Sequence, residues 1–98
     1  MRADEEPVLE RAVAVLRGMA YEHRLRILVA LTAGERTPGA LTEVVPADPT
    51  AVAHHLRFLL DAGLIRRRRR GRNVFYSLRD EPTRRLLGEV LRYAGLPA

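Results

Sequence analysis

The chain contains no cysteine, no lysine and no tryptophan, and only five of its 98 residues are aromatic. Without cysteine there can be no disulfide, no thiolate metal ligand and no thiol redox sensor. No apolar run approaches the ~18 residues of a membrane span, and the opening Met1-Arg2-Ala3-Asp4-Glu5-Glu6 is too acidic for a signal peptide. The expected location is therefore the cytoplasm, with no membrane partner. A glycine-rich phosphate loop, a nucleophile–base spacing and paired carboxylates are also missing, so no catalytic residue is assigned.

What remains is a hydrophobic content of 47%, enough for a folded globule. The length fits one domain, 1–98, whose solitary core is marginal. All seventeen basic residues are arginine, which is read as the codon bias of a GC-rich genome. Their distribution says more. Residues 1–56 carry six arginines against eight carboxylates, whereas 57–98 carry eleven against four. The overall charge of +5 is thus concentrated at one end, the footprint of a polyanion partner.

Most of the information lies between Asp48 and Leu78. Asp48 is an N-cap type and Pro49 suits a first helical position. Val52, Leu56, Leu59 and Leu60 then recur at helical spacing and mark an inward face. Thr50, Ala53, His54 and Arg57 occupy the opposite face, with small or hydrogen-bonding side chains suited to base edges. Gly63 ends the helix, and Arg66–Arg70, Gly71, Arg72 and Asn73 lead into the alternating Val74-Phe75-Tyr76-Ser77-Leu78. That pattern predicts a hairpin with its turn at Arg70–Asn73.

Upstream, Val8, Leu9, Ala12, Val13, Leu16 and Met19 define a first helix, and residues 1–6 are expected to fray. A second helix follows, with Leu25, Leu28, Val29 and Leu31 inward, then a short third with Leu41, Val44 and Val45 inward. Two short helices joined by a tight turn make a helix-turn-helix, 38–63, and the hairpin 64–78 is its wing. A last helix starts at Glu81-Pro82 and carries Leu86, Leu87, Val90, Leu91 and Ala94. The expected fold is mainly α with a β-hairpin, a winged helix-turn-helix. The terminal helices carry more apolar surface than such a core covers. Leu9, Val13, Leu16, Leu87 and Leu91 are therefore assigned to a homodimer interface.

Several segments resemble the ArsR/SmtB family of bacterial winged-helix repressors. Met19–Leu28 is similar to that family's second-helix signature, and Thr50–Leu56 with Leu60 and Ala62–Ile65 to its recognition helix and exit. Arg70-Gly71-Arg72 with Val74–Leu78 resembles its wing. The resemblance spans about residues 8–94 and implies a homodimeric repressor of a palindromic operator in double-stranded DNA. Many members sense metals through cysteines near the helix-turn-helix or through Asp/His ligands on the last helix. Here cysteine is absent and the last helix offers Glu81 and Glu89 without a histidine, so no metal site and no cofactor are assigned. The family's Asp-Pro before the second-helix arginine is Tyr21-Glu22, and its Ser-Gln at the recognition helix is Asp48-Pro49.

Adjacent His54 and His55 point roughly 100° apart on a helix and do not chelate one ion together. His54 is assigned to the groove-facing side, His55 to a packed structural role, and His23 to a cap or an exposed position. Within the wing, Arg68, Arg69, Arg70 and Arg72, nearest the tip, are assigned to DNA, with one or two inner arginines expected to pair with carboxylates. Guanidinium groups suit phosphates and a narrow minor groove. Two alternatives stay open: a basic RNA-binding module, and a DNA-binding subunit that relies on a protein co-regulator for its signal.

Overall fold

The two helices of the helix-turn-helix and the last helix each begin where the chain supplies a side-chain cap. In the computed structural model, which describes residues 2–97, α1 runs Glu6–Met19, α2 Glu22–Leu31, α3 Pro38–Val44, α4 Pro49–Asp61 and α5 Glu81–Tyr93. Between α4 and α5 lies the hairpin of β1, Ile65–Arg70, and β2, Asn73–Leu78. The Thr37 hydroxyl accepts from the Ala40 N–H at 3.2 Å, Asp48 Oδ1 from Ala51 at 2.8 Å and Asp80 Oδ1 from Thr83 at 2.9 Å. Each satisfies one donor that a helix start leaves unpaired, and a proline in the first turn needs none. Among the residues expected to fray, Met1 lies outside the described residues. Ala3–Glu5 form a 3-10 turn in which Glu5 accepts from the Arg2 backbone and side chain.

The core is formed by α2, α3, α4, the base of the hairpin and α5, through Ile27, Leu28, Leu41, Leu56, Leu64 and Leu87 among others. Val52, Leu56 and Leu59 face inward as expected, and Leu60 is half-buried. Two inward stripes differ from expectation. On α2 the buried set is Arg24, Ile27, Leu28 and Leu31, with Leu25 half-buried and Val29 41% exposed. The helix is rolled because Arg24, not an aliphatic residue, begins its buried face. On α3, Leu41 is buried but Val44 is exposed. Val45 leaves the helix in an extended conformation and takes the inward position.

The strands pair antiparallel with Arg70 opposite Asn73, leaving a two-residue turn of Gly71 and Arg72. Gly71 has φ +59° at the first central position, which matches the right-handed strand twist and which a side chain rarely tolerates. Arg36 lies along the other edge of β2, exchanging backbone hydrogen bonds of 2.9 and 2.8 Å with Tyr76. This short bridge ties the start of the helix-turn-helix to the wing.

Leu87, assigned from sequence to the dimer interface, is 1% exposed within the single chain and belongs to the core. Thr83, buried beside the Asp80 cap, sits one turn earlier on the same face of α5, so the helix turns Leu87 inward. Leu91 is partly buried against the core. Leu9, Val13 and Leu16 are exposed, as are Val8 and Leu86. In α1 only Gly18 and Met19 are buried, so almost its whole length lies open.

Candidate nucleic-acid interface

Helix α4 is held by its apolar side, which leaves Thr50, Ala53, His54 and Arg57 all exposed together on the other. Its polar face and the front of the hairpin meet in a cleft of about 220 Å³ lined by Ala53, Arg57, Leu60, Arg67 and Tyr76. Strand alternation explains why Arg67 is there. Paired residues share a face, so Arg67 with Tyr76 and Arg69 with Val74 follow the inward Ile65–Leu78 pair. Arg67 was not among the residues assigned from sequence, because spacing alone does not say which strand face turns toward α4.

Arg66, Arg68 and Arg70 occupy the other face, with Ser77, Phe75 and Asn73. There Glu35 reaches Arg68 Nη2 at 3.2 Å and Arg70 Nη2 at 2.8 Å, and the Arg70 guanidinium lies 4.3 Å from the Phe75 ring centre. Pairing with a carboxylate therefore falls on two arginines near the tip and not on the inner ones. Among the described residues no carboxylate pairs with Arg57, Arg67, Arg69 or Arg72. The chemistry available to this surface is guanidinium and backbone-polar recognition of a polyanion, with a helix thin enough on its polar face to enter a groove.

The three histidines gather edge-on around His55, with His54 on the exposed face. His55 is half-buried, its ring edge-on to His23 at 5.7 Å and to His54 at 6.2 Å, and its Nδ1 is buried with no hydrogen-bond partner. Burial, reinforced by the nearby Arg24 cation and the two other histidines, lowers the His55 pKa below its usual value. His23 is half-buried against it and caps nothing, since the α2 N-cap is Tyr21. Among the described residues no three metal-ligating side chains come together.

Arg24 is a residue that sequence reading passed over. At 4% exposure, it donates from Nε to the Gly18 carbonyl at 2.9 Å and from Nη2 to Arg17 at 2.6 Å. These belong to the last turn of α1, whose carbonyls lack helical partners and carry the negative end of the helix dipole. Its guanidinium also lies 4.0 Å from the Phe58 ring centre and 4.3 Å from that of Tyr21. Phe58 is on α4, so one arginine joins α1, α2 and the recognition helix.

A capped helix-turn-helix, an exposed polar helix face and an arginine-rich hairpin define a winged helix-turn-helix DNA-binding transcriptional regulator. Residues 22–67 match the family model described as bacterial regulatory protein, arsR family. The transcriptional regulator NmtR of Mycobacterium tuberculosis is 33% identical over 84 residues, covering 86% of this chain and 70% of NmtR. The transcriptional activator HlyU of Vibrio cholerae is 37% identical over 68 residues, covering 69% of this chain and 63% of HlyU. Among solved structures, a homodimeric winged helix-turn-helix DNA-binding domain from Mycobacterium bovis superposes with TM-score 0.89 at 28% identity, covering 96% of this chain and 87% of that one. The chain belongs to the ArsR family of bacterial regulatory proteins.

Proposed function

We propose that this chain works as a homodimer in the cytoplasm, binding a palindromic operator in double-stranded DNA and repressing transcription by occupying it. The observation that carries the reading is the shared exposure of Thr50, Ala53, His54 and Arg57 on α4, beside a wing whose Arg67, Arg69 and Arg72 pair with no carboxylate among the described residues. On this reading α4 lies in the major groove, where Arg57 and His54 reach base edges, and the hairpin rides on the backbone. The exposed apolar stripe of α1, with Leu9, Val13 and Leu16, supports pairing with a second copy, as does the homodimeric state of the similar domain from Mycobacterium bovis. Leu91, at the edge of the core, contributes to the same interface. No cofactor is required, and the signal arrives by a route without thiol chemistry, a protein co-regulator being one such route.

RNA binding fits less well. Base stacking needs open aromatic faces beside the cations, whereas Tyr21 and Phe58 flank Arg24, and Phe75 underlies Arg70. Tyr76 is half-buried, and the exposed Tyr93 ends α5 and belongs to neither α4 nor the wing. Selection of duplexes from a random pool tests the reading. The wild-type chain should recover an imperfect palindrome with half-sites one or more helical turns apart, ~10 bp each. His54→Ala and Arg57→Ala should each relax that motif at particular positions, Arg57→Ala by roughly 1–3 kcal/mol of discrimination if its contact is bidentate. An identical motif from all three proteins would mean that α4 only anchors on phosphate. A reporter driven from the selected operator decides between repression and activation, and HlyU shows that relatives of this chain include an activator.

A further inference from the structure

We propose that Glu35 limits the wing's grip on the DNA backbone: it holds Arg68 and Arg70 away from phosphate and leaves that contact to Arg67 and Arg69, beside Arg57. The inference rests on the DNA-binding reading above and assigns the wing's two faces different work. Five consecutive arginines look equivalent in the sequence. In the fold they are divided by strand alternation, and only one of the two sets meets a carboxylate.

Glu35 is placed there by backbone geometry. Arg36 exchanges two backbone hydrogen bonds with Tyr76, so the neighbouring Glu35 side chain falls on the opposite face from Tyr76, the face of Phe75. Arg68 Nη2 donates to both Glu35 carboxylate oxygens, Oε2 at 3.2 Å and Oε1 at 3.4 Å, and Arg70 Nη2 reaches Oε1 at 2.8 Å. The carboxylate is the more buried member of each pair, at 29% side-chain exposure. Arg70 is further held by the Phe75 ring, over which its guanidinium carbon lies 4.3 Å from the centroid. To reach a phosphate, either arginine must leave a partner, and the carboxylate it leaves behind repels the incoming phosphate.

The other face has no such restraint. Arg67 lines the cleft shared with Arg57 and Ala53, so a backbone that places a groove over α4 passes directly along it. Arg69 lies two residues nearer the tip on the same face. Glu35 is thus a positioning residue: it contacts no DNA, but it sets how many cations the wing presents. Because phosphate contacts strengthen binding to every duplex alike, masking two arginines per protomer keeps binding to random sequence weak and release fast.

The test is the slope of log affinity against log salt on a random-sequence duplex, where each phosphate contact contributes about 0.9. Glu35→Gln should steepen the slope by up to about 1.8 per protomer, as two guanidinium groups become available. The double variant Arg68→Ala/Arg70→Ala should keep nearly the wild-type slope, and adding it to Glu35→Gln should cancel the gain. Arg67→Ala alone should flatten the slope by about 0.9. A double variant that flattens the slope by about 1.8 with Glu35 in place overturns the proposal, and it does so whether or not Glu35→Gln folds. An unchanged slope in a Glu35→Gln protein with the wild-type melting temperature overturns it as well. Preference of the wild type for its selected operator over random duplex is scored separately. Loss of that preference defeats the operator reading while the slopes still decide the role of Glu35, and failure to bind any duplex defeats both.

Discussion

The guanidinium of Arg24 joins three helices, and Arg36 and Arg84 do similar work at the end of α2, donating to the carbonyls of Ala30 at 3.1 Å and Thr32 at 2.8 Å. Arginine in this chain is therefore a helix-end fastener as well as a DNA ligand, and net charge alone does not separate the roles. Beside Arg24, His55 is kept neutral by burial first and by the cations and imidazoles around it, Arg24, His23 and His54. Its lowered pKa has a definite consequence for stability. Below about pH 6.5 the unfolded chain takes up a proton on this histidine that the folded chain resists, so folding weakens as pH falls, until the folded His55 also protonates. The melting temperature should drop between pH 7.5 and 5.5, and His55→Gln should show a smaller drop over the same interval. Equal drops in both proteins would place the pH sensitivity elsewhere.

Helix α1 meets the rest of the fold over a small area, and Gly18 is what permits the approach. A Cβ at Gly18 would stand 2.7 Å from Leu64 Cδ1 and 3.2 Å from Ala62 Cβ. Gly18→Ala should therefore destabilise the fold despite alanine's better helix propensity. Overpacking of this kind costs about 1–3 kcal/mol, against a propensity gain of about 1 kcal/mol in a helix interior. Urea denaturation showing equal or greater stability would mean that α1 shifts freely on its neighbours. At this scale the sequence was largely readable. Thr37-Pro38, Asp48-Pro49 and Asp80 with Pro82 announce their helices through chemistry that is local. Gly71 announces its turn in the same way. The roll of α2 was not readable, because its buried face begins with an arginine whose partners belong to α1 and α4. Nor was the role of Glu35, whose partner Arg68 is 33 residues away in the chain. The polar face of α4 was readable from period alone; the division of the wing arginines needed the strand register and the Arg36–Tyr76 bridge.

The single chain measures 46 × 32 × 23 Å, and it leaves uncovered an apolar stripe on α1, with Leu16 61% exposed. A small core gains most from added burial, and a two-fold partner over this stripe would supply it. Such a partner would also present two copies of α4 on one side, doubling the contacts made by a face too small to be selective alone. The excess of positive charge in residues 57–98 lies on the wing, since Arg57 and Asp61 cancel on α4 and α5 sets three arginines against two glutamates. On the proposed reading, the wing supplies the attraction to duplex DNA, whereas Thr50, Ala53 and His54, which read it, and α1, which pairs the copies, lie in the acidic first half. Two-fold reading of an operator is the proposed outcome of this arrangement. Its most direct test compares affinity for the selected palindrome with affinity for the same palindrome carrying five extra base pairs between its half-sites. Half a helical turn, about 5 bp, moves the second half-site to the opposite side of the duplex. The expected result is a fall to the affinity of a single half-site. Equal affinity for the two duplexes would contradict two-fold reading and leave a chain that binds each half-site on its own.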